Sequence, residues 1–415
     1  MSAAAPISRF SKSCWITTYN VININLHGWE DFVVDNKRHR FLEISWRVLY
    51  TLLMPFIKLK FNSHADDIKV EGPCIVVANH VSSWDPLLLG HSFPRMKLYF
   101  VASEHLLRLG FLSKLLQYFL EIIPRKKATM GTDTVMSILR HLKAGHAVCL
   151  YAEGNSTWDG LSSKVFPATG KLVRNSGATL VTFRLEGGYL SAPRWGKGTR
   201  RGKVRGQRVG IYTPEQLKTM KPDEITELIN RDIFEDAWER QKIEKVAFKG
   251  RNTARYIERV VFLCPKCKKI GGLKGEGKML RCSCGLETRF TDYGLFDPPV
   301  PFENIAQWDK WQQQAVKDDD YVHDEILFRD EDLSLTALQA NHEEKLIARG
   351  ELFATGEYIN CAGHIFPFAE IDMMSLVQAT ILLFSHQGNY YEIRANKHSC
   401  HRKYLSVWEC VKGLR

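Results

Sequence analysis

The chain has 415 residues, of which 45% are hydrophobic and 25% are charged. This composition is typical of globular proteins and excludes a chain that is disordered throughout. The formal net charge of +11 favours an anionic partner, such as a nucleic acid, an acidic membrane or a phosphorylated small molecule. Residues 1–40 give no prediction of their role, but their start lacks the pattern of a secretory signal. We therefore expect the cytoplasm, or the cytoplasmic face of a membrane, with most thiols reduced.

Residues 41–62 form the most apolar stretch of the chain. Glu43 and Arg47 near its start, and Pro55 inside it, argue against a transmembrane span. Two lysines near its end would lie close to lipid headgroups. We therefore predict an interfacial helix of a peripheral or monotopic membrane protein. A helix in the core of a soluble domain is the alternative that the sequence leaves open.

Short apolar runs alternate with helical patterns over residues 63–250. Strands are predicted at 74–78, 97–102, 121–123, 146–151 and 179–185. Helices are predicted from the second strand through Leu116, then over 132–144 and over about 213–245. This alternation is typical of an α/β domain with a mixed, largely parallel sheet that is flanked by helices.

The segment VVANHVSSWDP gives the first chemical signal. Its predicted strand ends at Asn79, so His80 follows in a loop where open α/β sheets place their reactive groups. Histidine is a natural general base near neutral pH, and a carboxylate such as Asp85 can orient its ring. A bound hydroxyl can be deprotonated directly by such a pair, without a serine or cysteine nucleophile. Asp85 before Pro86 is also the pattern of a helix N-cap, and the two roles are compatible.

Two more predicted strands are followed by polar residues. Glu153 and Gly154 come after one of them, and a glycine there permits the close approach of a ligand. Arg125 and Lys126 come after the other and are candidates for binding a phosphate. A solvated basic turn is the alternative interpretation of this second segment.

Taken in this order, the segments resemble the motifs of the glycerolipid acyltransferase family, the PlsC-like group that includes 1-acylglycerol-3-phosphate acyltransferases. Its first motif, N-H-x-S-x-x-D, is matched by Asn79, His80, Ser82 and Asp85. Its second motif ends in an arginine that binds the acceptor phosphate, and the nearest match is Arg125. The resemblance extends over about residues 45–240.

The third and fourth motifs of that family match less completely. The third motif is F-P-E-G-T-R-S, and the positions that fit it are Tyr151, Glu153 and Gly154. The positions that depart from it are Ala152, Asn155 and Ser156. Since a serine lacks the charge of the family's arginine, another basic residue is expected to replace it, from among Arg125, Lys126, Arg184 and Arg194. The fourth motif centres on a proline, and here Thr182 takes its place.

The resemblance implies transfer of a fatty acyl group from acyl-CoA or an acyl carrier protein to the free hydroxyl of a lysophospholipid such as lysophosphatidate. It implies that His80 removes the hydroxyl proton and that Asp85 orients His80. The residues expected to contact substrate are Asn79, Ser82, Arg125, Lys126, Glu153, Gly154 and Arg184. The altered third motif motivates an alternative, a catalytically inactive regulatory protein that binds membrane lipid.

Residues 188–211 contain seven basic residues and no acidic one. This charge favours contact with anionic headgroups or with the phosphates of coenzyme A. A solvated, mobile loop is the alternative, and the sequence does not separate the two.

Four cysteines cluster over residues 260–295, in the pattern of a zinc ribbon. They are Cys264, Cys267, Cys282 and Cys284, although one residue rather than two separates the second pair. A site of four thiolates is closed, so we expect a structural Zn²⁺ that takes no part in acyl transfer. A basic zinc ribbon also raises nucleic-acid binding as a rival function. Few aromatic residues interleave here, and we expect no nucleic-acid partner.

The last part of the chain, residues 321–415, contains short strand patterns separated by turn signals. Strands are predicted at 333–338, 381–384 and 390–394, with a turn at 387–389 and a final helix over about 402–412. This pattern is similar to that of a small, mainly-β PH or GRAM-like domain. Such a domain would add a second surface for lipid or protein.

Overall fold

The computed structural model describes residues 36–103, 122–125, 131–318, 326–338, 344–377, 379–395 and 399–413. The α-helices within these residues are α1 (Asn36–Phe61), α2 (Asp85–Gly90), α3 (Thr132–Lys143), α4 (Ala168–Ser176), α5 (Gly188–Ser191), α6 (Pro214–Thr219), α7 (Pro222–Ile233), α8 (Ala237–Glu244), α9 (Ile305–Lys317) and α10 (Arg402–Val411). The helix predicted through Leu116 lies outside the described residues, whereas the helix predicted at 132–144 is α3.

The first sheet has seven strands in the order β1-β7-β6-β2-β5-β3-β4. Their bounds are β1 (Ser63–Ala65), β2 (Cys74–Ala78), β3 (Leu98–Ser103), β4 (Ile123–Arg125), β5 (Ala147–Leu150), β6 (Thr179–Glu186) and β7 (Val204–Tyr212). The five strands from β6 to β4 in this order are parallel, and β7 runs antiparallel to β6. The predicted mixed, largely parallel α/β fold is therefore confirmed.

Every residue of β2 is buried, because helices or further layers cover both faces of the sheet. Ile75 and Val77 pack with side chains of α3, α4 and α7 on one face. Cys74 and Val76 face the opposite side, where α1, α2 and the cysteine-containing region complete a second core. A short, continuously apolar strand is the sequence signal of such a central position.

The basic stretch 188–211 is not a mobile loop, so that alternative is wrong. Its second half forms β7, which pairs with β6 from Leu180↔Tyr212 to Glu186↔Arg205. Arg200 is buried and donates hydrogen bonds to the carbonyl oxygens of Leu190 and Thr253. The sequence hides this strand because Arg205, Arg208 and two glycines interrupt the apolar pattern that marks a strand.

Two antiparallel sheets follow the first domain. The smaller has the order β11-β10-β9-β8, with bounds β8 (Leu273–Glu276), β9 (Met279–Cys282), β10 (Glu287–Phe290) and β11 (Phe296–Asp297). The larger has the order β15-β14-β13-β12-β18-β17-β16, with bounds β12 (Phe328–Leu338), β13 (Glu344–Ala354), β14 (Tyr358–Cys361), β15 (His364–Pro367), β16 (Ile371–Val377), β17 (Ile381–His386) and β18 (Asn389–Arg394). The predicted C-terminal strands and final helix are present, whereas α9 was not predicted.

Helix α1 has two apolar faces. One face packs on the first domain through Leu42, Trp46, Tyr50, Ile57 and Phe61. The other face is exposed and consists of Phe41, Ile44, Val48, Leu49, Leu52, Phe56 and Leu59. Within the described residues, no helix combines the length and the apolar character that crossing a membrane requires.

Candidate active site

The carboxyl ends of β2, β3, β4 and β5 lie at one edge of the first sheet, because these strands are parallel neighbours. His80 follows β2, and the segment from Tyr151 to Gly154 follows β5. Arg125 is the last residue of β4. The topology therefore brings together three segments that are far apart in the sequence.

His80 and Asp85 form a close side-chain pair. The distance between His80 Nδ1 and Asp85 Oδ2 is 2.7 Å. Asp85 is fully buried, whereas the His80 side chain is 24% exposed. A hydrogen bond from Nδ1–H to the carboxylate leaves Nε2 as the basic nitrogen. No described residue forms a hydrogen bond with Nε2, so a substrate hydroxyl can approach it.

The carboxylate of Asp85 is held by the loop that it closes. It accepts hydrogen bonds from the backbone N–H groups of Val81 (2.7 Å) and Ser82 (3.0 Å) and from the Ser82 hydroxyl (2.7 Å). The predicted N-cap role of Asp85 is wrong, since Trp84 occupies the cap and Asp85 is the first residue of α2. The physical reason is that the carboxylate points back to the residues before it, and not forward into the helix.

The backbone of His80 is held by the loop after β5. Its N–H donates to Glu153 Oε1 (2.8 Å), and its carbonyl oxygen accepts from the N–H of Thr157 (2.9 Å). The other oxygen of Glu153 accepts from the N–H of Ser163 (2.6 Å). Burial raises the pKa of Glu153 to about 8. The ring of His80 is stacked on Tyr151, with centroids 4.6 Å apart and planes at 23°.

Arg125 lies beside this loop. Its guanidinium lies 5.1 Å from the centre of the Phe166 ring, and partial burial lowers its pKa. A Cβ atom at Gly154 would lie 3.4 Å from Arg125 Nη2 and only 2.6 Å from the Phe166 ring. Gly154 has φ +82°, so glycine is needed there for conformation and for space. Within the described residues, no carboxylate forms an ion pair with Arg125.

Comparison with known proteins was consistent with this geometry. Residues 60–186 match the Acyltransferase family, and this range contains His80, Asp85, Arg125 and Glu153. The match identifies a PlsC-like acyltransferase domain within this range. The family match supports acyl transfer as the activity of this acyltransferase domain.

One solved structure that matches part of this chain is the 1-acyl-sn-glycerophosphate (LPA) acyltransferase PlsC from Thermotoga maritima. The two chains are 19% identical, the TM-score is 0.36, and the match covers 49% of this chain and 83% of that one. At this level of similarity the match says nothing about the substrate of the present acyltransferase domain.

The remaining predicted site residues have structural partners or lie elsewhere. Asn79 is buried, and its amide exchanges two hydrogen bonds with the backbone of Leu185 (2.9 and 2.7 Å). Ser82 is buried and bonded to Asp85, so for both residues the geometry favours a supporting role over contact with substrate. Arg184 bonds Glu186 and the carbonyl oxygen of Phe234. Lys126 lies outside the described residues.

The contributions of Tyr151 and Thr157 to the site were missed by our sequence analysis. Tyr151 was noted only as an aromatic residue in the third motif, and Thr157 was not noted. No local sequence signal marks Thr157, because its backbone hydrogen bond joins two loops that are far apart in the chain.

The four clustered cysteines lie in and around the smaller antiparallel sheet, and not in the loops that contain His80 and Glu153. The sulfur atoms of Cys264, Cys267, Cys282 and Cys284 lie within 4.8 Å of one another. Two of the sulfur–sulfur distances are 3.8 Å, between Cys264 and Cys284 and between Cys267 and Cys282. This arrangement can hold a metal ion.

Proposed function

We propose that the protein transfers a fatty acyl group from a thioester donor, acyl-CoA or an acyl carrier protein, to the free hydroxyl of a lysophospholipid such as lysophosphatidate. The observation that supports this most is the pairing of His80 with the buried Asp85, with Nε2 open at the sheet edge. The family of residues 60–186 supports the same chemistry.

The proposed reaction begins when His80 Nε2 takes the proton of the lysolipid hydroxyl. The oxygen then attacks the carbonyl carbon of the thioester, and a new C–O bond forms. Asp85 keeps the ring oriented and stabilises the imidazolium. The C–S bond breaks, and the leaving sulfur receives the proton from His80. Glu153 and Thr157 hold the backbone on both sides of the reacting imidazole and so keep its direction fixed.

Arg125 is our candidate for the acceptor phosphate. A partly buried guanidinium without a carboxylate partner among the described residues is well suited to a ligand anion. Its position beside Gly154 places it next to the loop that supports His80. The predicted contributions of Lys126 and Arg184 to phosphate binding stay predictions.

The exposed apolar face of α1 supports a location at a membrane surface. Leu52 and Leu59 on this face are 72% and 67% exposed, and Lys58 and Lys60 are in the last turn of the helix. We propose that α1 lies in the interface, with its lysines near anionic headgroups. Binding of the protein to vesicles, and its loss on Leu52→Glu, would test this orientation.

The cysteine cluster fits a structural Zn²⁺. With Zn–S bonds of about 2.3 Å, the edge of a tetrahedron of sulfurs is about 3.8 Å, which agrees with the distances of 3.8 Å in two of the cysteine pairs. Cys264, Cys267, Cys282 and Cys284 would hold the ion and stabilise the small sheet. Metal analysis of the purified protein tests this, and a content well below one zinc per chain contradicts it.

The function is tested by acyl-CoA-dependent conversion of lysophosphatidate on vesicles. The wild type is expected to convert the lipid, and His80→Ala is expected to be slower by about 10²–10⁴-fold, since a general base contributes this much. Ser83→Ala is the matched control, because Ser83 is exposed in the same loop. Equal turnover by wild type and His80→Ala contradicts the proposal. Vesicle binding without any turnover would instead favour the inactive regulatory protein, which the altered third motif motivates.

A further inference from the structure

Three parts of the chain meet behind the loop that follows β5. Arg402 of α10 is buried and forms an ion pair with Asp309 of α9. It also donates a hydrogen bond to the carbonyl oxygen of Val260 (3.1 Å). Its guanidinium lies 5.3 Å from the ring of Trp158, which belongs to the loop of the acyltransferase domain. The guanidinium of Arg194 lies 4.0 Å from the same ring, so two cations contact Trp158.

Trp158 directly follows Thr157, whose backbone forms a hydrogen bond with His80. The N–H of Thr157 donates to the carbonyl oxygen of His80, at 2.9 Å. The Thr157 hydroxyl donates to Asp159 Oδ1 (3.1 Å), so residues 157–159 are connected to one another. This segment is neither helix nor strand, and its position depends on such contacts. Arg402 is therefore connected to His80 through its contact with the Trp158 ring and through the backbone hydrogen bond of the preceding residue, Thr157.

The charges around Arg402 explain why a cation is needed there. Burial, and after it the nearby Asp309, raise the pKa of Asp159, whereas Arg402 acts in the opposite direction. Without Arg402, two carboxylates of like charge would face each other in a region of low dielectric constant. Asp309 is fixed on a helix, and Asp159 is in the irregular loop. The loop is therefore the part that would move.

We propose that Arg402 is a positioning residue for acyl transfer, which acts through Trp158 and Thr157 to fix the loop that holds His80. This inference rests on the proposed function. It makes the C-terminal domain a required support of the active site and not only a separate binding module.

The test compares full-length Arg402→Met with full-length Lys403→Met. Lys403 is the next residue of α10, is equally buried and pairs with Asp330 (2.7 Å), but within the described residues it does not contact the loop. Arg402→Met is expected to lower kcat at least about tenfold with little change in KM, because small misplacements of a reacting group cost up to about 10²-fold. Lys403→Met is expected to lower Tm about as much as Arg402→Met does, and to keep kcat within about twofold of the wild type.

Two further measurements keep the inference separate from stability and from the proposed function. Adding Asp309→Asn to Arg402→Met removes one of the two facing carboxylates and is expected to restore most of kcat. Hydrogen exchange of residues 151–163 is expected to accelerate in Arg402→Met and not in Lys403→Met, and this readout needs no turnover. Wild-type exchange and kcat in Arg402→Met would overturn the inference, and so would equal losses in both variants. An inactive wild type with the expected exchange pattern would overturn only the proposed function.

Discussion

The loop from His80 to Asp85 and the loop from Tyr151 to Ser163 lie side by side at one edge of the sheet, but the hydrogen bonds of Asp85 differ in reach from those of Glu153 and Thr157. In the first loop, Asp85 is bonded by the side chain of His80 and by two residues between them, all within five positions. In the second loop, Glu153 and Thr157 are bonded to the backbone of His80, more than seventy positions away.

This difference matches the different roles that we propose for the two loops. The first loop contains the proposed base, His80, and its carboxylate, Asp85, and the geometry of this pair follows from a few neighbouring residues. The second loop contains no proposed reacting group, and its position depends on contacts with the rest of the fold, including Arg194 and Arg402. Substitutions in the first loop should therefore affect the reaction most, and those in the second should act by moving His80.

The largest effect is expected for Asp85→Asn in the first loop. An amide offers one acceptor oxygen in place of two, and its NH₂ group facing His80 Nδ1 favours the wrong tautomer. We expect kcat to fall about 10³–10⁴-fold, as for the loss of the carboxylate from comparable histidine–carboxylate pairs. Steady-state kinetics with Ser83→Ala as the control measures this. A loss below tenfold would mean that the first loop does not hold the chemistry.

The contrast also explains what the sequence could and could not predict. The His80–Asp85 pairing was predictable because its geometry is local, and the buried strand β2 was predictable from its unbroken apolar run. The bond from Thr157 to His80 and the contact of Arg402 with Trp158 join distant segments, and no local pattern marks them. The N-cap role of Asp85 was mispredicted because a proline at position 86 is compatible with Asp85 either as the cap residue or as the first residue of the helix.

A smaller effect is expected for Glu153→Gln in the second loop. The glutamine oxygen can accept one of the two backbone N–H groups, from His80 or Ser163, and its NH₂ group then faces the other. We expect kcat to fall about tenfold through displacement of His80, with KM for the acyl donor little changed. A loss as large as that of Asp85→Asn would mean that Glu153 takes part in the chemistry and that the two loops do not differ in this way.

The same variant has a second readout in the pH dependence of stability. The pKa of Glu153 is raised from 4.5 in the unfolded chain to about 8 in the folded protein. Between these values the folded state binds more protons than the unfolded state, so this group lowers stability as the pH rises from 4.5 to 8. Denaturant unfolding at pH 5 and pH 8 should therefore show a smaller fall in stability for Glu153→Gln. An unchanged fall would contradict a buried, proton-binding Glu153.

The smallest effect is expected for Tyr151→Phe. The stacking of this ring on His80 does not need the hydroxyl, which is buried beside the thiol of Cys149. Because a thiol is a weak hydrogen-bonding partner, removing the hydroxyl should change stability by no more than about 1 kcal/mol, and kcat should stay within about twofold. Tyr151→Leu, which removes the ring, should lower kcat more than Tyr151→Phe. If Tyr151→Phe alone lost tenfold in kcat, the hydroxyl would have to contact substrate, and the second loop would then contribute a reacting group as well as support.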